Sequence, residues 1–192
     1  MIKRLFDIVL AVFLMILFGL PMLLIAVFIR LRSKGPALFW TNRVGINNKI
    51  FKMAKFRTMK VDTPQLATHL MKDPKAYLIP GGAFLRKSSL DELPQLINVL
   101  NGDMSFVGPR PHALATTVDG LALEEVVPVY PSRHRVKPGI TGWAQVNGRD
   151  DLPIPVKVSF DDYYLQHRTF RLDLYILFLT ALKVIKKEGV SH

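Results

Sequence analysis

The sequence predicts an α+β chain, mostly helical, with one small β-hairpin behind an N-terminal membrane segment. Three observations carry that prediction. Residues 8–29 form a run of 22 without a charge, about 33 Å if helical throughout. Two short strand-like runs flank the turn-rich Gly45-Ile46-Asn47-Asn48. Apolar residues then recur at helical spacing from Leu90 to Leu100, and again from Leu172. A length of 192 residues suits one domain or two small ones. An apolar content of 49% excludes a disordered chain, and the absence of cysteine excludes disulfide scaffolds, thiolate metal sites and a cysteine nucleophile.

The N-terminal segment also gathers the charge. Net charge is +11, and residues 1–60 hold eleven basic residues against one acidic, Asp7. Such an excess points to an anionic partner. A secretory signal is disfavoured, because Arg30-Leu31-Arg32-Ser33-Lys34 stands where small cleavage-site residues belong. A buried helix of a soluble protein is disfavoured because the run is apolar all round. Lys3 and Arg4 precede the run and Arg30, Arg32 and Lys34 follow it, so charge gives almost no preferred orientation. Gly19-Leu20-Pro21 sits just past the middle, where proline removes a helical hydrogen bond. A kinked spanning helix and a broken helix that turns back to the cytoplasmic face are equally compatible with these residues.

Beyond Gly35-Pro36, Ala37–Trp40 and Ile50–Met53 read as strands of a hairpin. Residues 61–80 read as irregular or weakly helical. Leu90, Leu93, Leu96, Ile97 and Leu100 predict a helix ended by Asn101-Gly102. Gly108-Pro109-Arg110-Pro111 is a rigid loop, and glycine-bearing loops recur at 139–143 and 147–149. Leu172–Lys187 predicts a last helix with a basic end, packed on the core or lying in a membrane interface.

The chemistry concentrates at Ser88-Ser89-Leu90-Asp91-Glu92-Leu93-Pro94. Ser89 and Glu92 fit a capping box, and Asp91 could itself cap a helix in which Pro94 occupies the first turn. Adjacent carboxylates also suit phosphate chemistry, one as nucleophile and one as ligand for a divalent cation. Lys55, Arg57, Arg86, Arg110, Arg133, Arg135 and Arg149 stand in apolar, glycine or proline contexts that suit bidentate phosphate contact rather than a solvated charged face. The five histidines lack metal-binding spacing.

Several longer stretches resemble the bacterial sugar transferases: Lys3-Arg4-Leu5-Phe6-Asp7, the run Phe51–Met59, Leu85–Leu96, Gly102–Pro111 and Lys137–Arg149. The family is the monotopic phosphoglycosyl transferases, and the likeness is greatest to the small bacillosamine-phosphate-transferring type. It covers nearly the whole chain, in order. Without the multi-pass N-terminal region of the large members, the chain looks like the minimal catalytic form. The resemblance implies transfer of a sugar phosphate from a UDP-sugar to undecaprenyl phosphate at the cytoplasmic face of the bacterial inner membrane. Asp91 would be the nucleophile, leaving a covalent phosphosugar and releasing UMP. Glu92 would help hold Mg²⁺. Lys55, Arg86, Arg110 and Arg149 match basic family positions and would hold diphosphate charge, and Asp161 matches an acidic position without a settled role. The resemblance also implies a re-entrant membrane helix over 1–34, ahead of a cytoplasmic catalytic domain over 35–192 with membrane-interface helices. Many relatives have Ser-Pro at the helix break where this chain has Leu20-Pro21, so Gly19 rather than a serine hydroxyl would ease the kink.

Two other classes compete: a non-catalytic, membrane-anchored anion-binding protein, and a hydrolase acting on a nucleotide sugar. Against the first, residues 61–192 are nearly neutral and carry no nucleic-acid motif.

Overall fold

A computed structural model describes residues 2–64, 73–114, 116–118, 120–148 and 152–186, with the side chain of residue 118 excepted. Helix α1 (Ile2–Arg32) is long and apolar enough to cross a membrane. The expected interruption at Gly19-Leu20-Pro21 is not a gap between two helices. Pro21 lies inside one continuous helix. A single missing backbone bond costs less than ending a helix amid apolar side chains that offer its backbone no other partner.

Both ends of α1 dock on the rest of the chain. Near the start, Ala11 is fully buried in a cluster with Val99, Met104 and Phe106. Near the end, Ile29 is fully buried against Phe56, Ile79 and Leu85. Between them Ile16, Leu17 and Leu20 are exposed. The basic N-terminal flank turns inward. Arg4 donates to the carbonyls of Val99 at 2.5 Å and Leu100 at 2.7 Å, and Asp7 Oδ1 accepts from the Phe106 amide at 3.2 Å. Lys3 pairs with Asp173 at 2.6 Å. With the Lys3 side chain 40% exposed, solvent screens that pair to about 0–1 kcal/mol. Burying Ile29 contributes roughly 1.5–3 kcal/mol. Packing therefore holds the far dock more firmly than this charge pair holds the near one.

The predicted hairpin forms, with longer strands than expected: β1 (Leu38–Val44) pairs antiparallel with β2 (Ile50–Phe56). Asn47 and Asn48 take the left-handed conformation in the connection. After a short helix α2 (Gly82–Lys87), a one-turn 3-10 segment (Leu90–Glu92) precedes α3 (Gln95–Asn101). The last of these ends on Gly102 in the left-handed conformation, as predicted. β3 (Ser105–Val107) pairs in parallel with a later strand, Gly139–Thr141. Any side chain at Gly108 or Gly139 would collide with the facing backbone, so these loop glycines allow the two segments to touch. A small pair, β4 (Thr117–Val118) with β5 (Leu121–Ala122), precedes the one-turn helix α4 (Leu123–Val126). The Gly139–Thr141 strand is β6, followed by α5 (Trp143–Val146), α6 (Ile154–His167) and α7 (Phe170–Lys186).

The last helix packs on the core, one of the two readings made of it, and leaves an apolar face exposed. Ile176 is fully buried in the core, whereas Leu174, Tyr175, Phe178, Val184 and Ile185 are exposed. Predicted positions Arg149 and Lys187 lie outside the described residues.

Candidate active site

The Asp91-Glu92 turn is not a helix cap. Ser89 and Pro94 make no side-chain capping bond at the turns they precede, and α3 begins only after Pro94. Proline at that point supplies the helical φ without needing a donor, so the two carboxylates are left upstream on the 3-10 turn. Ser89 adopts φ 56, a left-handed conformation that serine seldom takes, and this turns the chain out of α2. Asp91 is 7% exposed and accepts no hydrogen bond among the described residues. A buried carboxylate without a donor is not serving the fold through hydrogen bonding.

Glu92 is the opposite case. Its Oε1 receives Lys55 Nζ at 2.8 Å and Arg110 Nη2 at 2.7 Å. Lys55 comes from β2 and Arg110 from the loop after β3, so the hairpin and the Pro109–Pro111 loop converge on the turn. Burial alone would raise the Glu92 pKa, but Arg110 and Lys55 outweigh it and hold the group well below the ordinary carboxylate value. At Asp91 the balance reverses. Burial raises its pKa above the usual value, against the pull of Lys55, Arg86 and Arg110 and with the help of Glu92. Two neighbouring carboxylates driven in opposite directions are equipped for different roles.

Arg86 is turned elsewhere: its Nε donates to Thr58 Oγ1 at 3.1 Å. Only its charge reaches Asp91. Asp161 also lies apart from the turn. It is 2% exposed and pairs at 2.8 Å with Arg133, from the turn Tyr130–Arg135. Burial pushes its carboxyl up to about 6, despite the arginine. Arg133 in turn donates to the Arg110 carbonyl at 2.8 Å and contacts His112 Nδ1 at 2.8 Å. Arginine has no acceptor, so His112 Nδ1 must accept and the imidazole proton sits on Nε2. Burial, Arg133 and the other cations around it keep His112 neutral, far below its ordinary pKa. Asp161 thus stands behind Arg110, holding the loop that presents it.

Two residues here escaped sequence reasoning. Arg43 on β1 is pressed below its usual pKa by burial and by Arg110, and upward by Glu92, which places it in the same field. Asn98 is 1% exposed. It accepts from the Ala54 amide at 2.9 Å and donates to the Lys52 carbonyl at 2.7 Å, fixing the strand that carries Lys55. An asparagine inside the apolar run Leu96–Leu100 was its only signal.

Beside the turn lies a cavity of about 530 Å³, lined by Glu92 and Arg110 at one part and elsewhere mainly by apolar side chains of α1, α2, α3 and α7. Asp91 itself is not in the lining.

The family model for bacterial sugar transferases matches residues 1–187. The chain belongs to that family. Among curated relatives, the uncharacterized sugar transferase EpsL of Bacillus subtilis is 41% identical, over 100% of this chain and 91% of its own length. The undecaprenyl-phosphate glucose phosphotransferase of Komagataeibacter xylinus is 44% identical over 99% of this chain, which spans only 36% of that protein. The UDP-glucose:undecaprenyl-phosphate glucose-1-phosphate transferase of Escherichia coli is 43% identical over 95% of this chain and 40% of its own length. The family thus includes chains of nearly this length and others more than twice as long, with this sequence corresponding to a part of the latter.

No described group of three or more histidine, aspartate or glutamate side chains forms a protein-only metal site. The donor chemistry fits a different arrangement. Mg²⁺ is commonly held by one or two carboxylates with substrate phosphates completing its shell, and Asp91-Glu92 supplies two.

Proposed function

We propose that this sugar transferase moves a sugar phosphate from a UDP-sugar to undecaprenyl phosphate through a covalent intermediate on Asp91, with release of UMP. The observation carrying this reading is the division between the two carboxylates: Asp91 is buried and without hydrogen bonds among the described residues, whereas Glu92 is held anionic by Lys55 and Arg110. In the first step an Asp91 oxygen forms a bond to the β-phosphorus. The bond from that phosphorus to the bridging oxygen breaks, and UMP leaves with the electron pair. In the second step an oxygen of the lipid phosphate attacks the same phosphorus. The aspartyl bond breaks, which restores the Asp91 carboxylate and yields a polyprenyl diphosphate sugar.

Lys55 and Arg110 are partly solvent-accessible, with side chains 20% and 34% exposed. They can therefore turn from Glu92 toward an incoming diphosphate and neutralise the charge that would repel Asp91. Arg86 and Arg149 are assigned to the same anion. Glu92 would hold Mg²⁺ together with the diphosphate, and the metal would supply Lewis-acid stabilisation of phosphoryl charge. The curated relatives named for glucose, galactose and N-acetylgalactosamine transfer leave the sugar to a panel of UDP-sugars.

We place α1 as a re-entrant anchor at the cytoplasmic face of the bacterial inner membrane, supported by the docking of both its ends on the remainder of the chain. Cysteines introduced near residues 2 and 33, in this cysteine-free background, should both label from the cytoplasmic side only. Labelling from opposite sides would show a spanning helix.

The nucleophile is tested by Asp91→Asn, which keeps volume and polarity. The variant should fold, enter membrane and lose nearly all UMP release. Incubated with sugar-labelled UDP-sugar and no acceptor, the native protein should carry label on the Asp91 peptide. Label elsewhere, or near-native transfer by the variant, would refute the mechanism. UMP release that proceeds to free sugar phosphate without a lipid acceptor would favour a hydrolase.

A further inference from the structure

Two cations in the large cavity stand outside the Glu92 cluster. Lys87 closes α2 and Lys183 lies on α7, and both line the cavity. Among the described residues neither makes a hydrogen bond or an ion pair. Among the described residues Glu92 is the only acid in the lining, and it is already taken by Lys55 and Arg110. Its described lining therefore carries a surplus of positive charge facing walls that are mainly apolar.

A second observation points to a ligand. Gln145 of α5 lines the same cavity at 9% exposure, and neither its Nε2 nor its Oε1 has a partner among the described residues. A buried amide left unpaired is destabilising, and a ligand oxygen that accepts from Nε2 would relieve it. The apolar walls include Leu14 of α1 and Val184 of α7. These two helices also bear much of the exposed apolar surface, including Phe13, Leu17, Phe178 and Ile185. An anion attached to a long hydrocarbon fits both halves of this site. A nucleotide sugar, polar along its length, fits only the charged half.

We infer that Lys87, Lys183 and Gln145 seat the phosphate of the polyprenyl-phosphate acceptor, whose chain runs out between α1 and α7. This rests on the transferase reading above, and it separates the anion sites: Lys55 and Arg110 serve the donor, Lys87 and Lys183 the acceptor. The seat would bring the attacking phosphate beside the turn that carries Asp91, the position the second step requires.

The test uses the full chain in nanodiscs with undecaprenyl phosphate. Lys183→Leu and Lys87→Met keep the apolar stem and remove the charge. Each should raise the KM for undecaprenyl phosphate about tenfold or more, the scale of a lost charge-assisted hydrogen bond. The KM for the UDP-sugar and acceptor-free labelling of the protein should stay within about twofold. Gln145→Leu should act in the same direction, and thermal unfolding of each variant separates loss of the seat from loss of fold. A raised UDP-sugar KM with reduced labelling would overturn the assignment in favour of a donor site, and unchanged values for both substrates would overturn it outright. Equal competition by phosphatidylglycerol in native and variant proteins supports the seat, whereas competition lost in the variants would make it a general headgroup site and overturn it. Direct binding of undecaprenyl phosphate, weakened by Lys183→Leu, would uphold the seat even if no UDP-sugar were transferred. In that outcome the transferase reading alone would fail.

Discussion

Two carboxylates among the described residues are each gripped by arginine, and they are built to opposite ends. Glu92 meets Lys55 and Arg110 at a place where both cations still touch solvent, with side chains 20% and 34% exposed. Asp161 meets Arg133 where the two side chains are 2% and 3% exposed. A pair sealed from water has no other partner to move to, because releasing either charge leaves it unpaired in a medium of low polarity. A pair at the edge of a cavity can exchange one anion for another. The open Glu92 arrangement suits a catalytic cluster and the sealed Asp161 pair a fixed support, and the Arg133 contact to the Arg110 carbonyl joins them.

This contrast can be broken at several points. The largest effect is expected on turnover at the open cluster. Chelation of divalent cations should abolish transfer, and Glu92→Gln should cost well over about tenfold in rate with the fold intact. Full activity in excess EDTA would remove the metal from the proposal. At the sealed pair the large effect is expected on stability instead. Arg133→Met strands the Asp161 charge and should cost about 3–5 kcal/mol, read by thermal or denaturant unfolding in detergent. Arg133→Met combined with Asp161→Leu should recover most of that loss. A double variant no more stable than the single would show that the pair does more than neutralise itself. The subtlest effect is on pH dependence. Asp91 must be ionised to attack, and its pKa is raised by burial. Protein labelling by the UDP-sugar should therefore fail on acidification at a higher pH than an ordinary aspartate of pKa 3.8 would give. Lys55 is the strongest of the charges that lower it, so Lys55→Met should move this acid limb further upward. A limb that stays in place would separate Asp91 from the measured step.

Features set by local chemistry were legible from the sequence. The Gly45–Asn48 turn announced the hairpin, and Asn101-Gly102 announced the end of α3. The Asp91-Glu92 pair stood out by residue type. Its role as a cap was misleading, because Ser89 and Glu92 have the right spacing for a capping box but Pro94 starts the helix one step too late. Features that depend on distant segments were hidden. Nothing near Asn98 shows that β2 needs its amide, and nothing near Asp161 names Arg133. The parallel pairing of β3 with β6 joins segments separated by more than thirty residues, although Gly108 and Gly139 marked the place where they meet. Arg43 was missed because a strand arginine ordinarily faces water.

The two docks of α1 set a ruler between lipid and chemistry. Ala11 and Ile29, both fully buried, are eighteen positions apart, about five whole turns of an α-helix, so they share a face. Adding one residue between them would rotate one dock by about 100° and shift it by about 1.5 Å. Either the Ile29 seat against Phe56 and Leu85 or the Ala11 seat against Val99 would then come apart. The length of the segment between the docks is thus specified by the protein it rests on. Adding a whole turn would restore the shared face but displace one seat by about 5.4 Å, so the spacing between the docks leaves no room for lengthening.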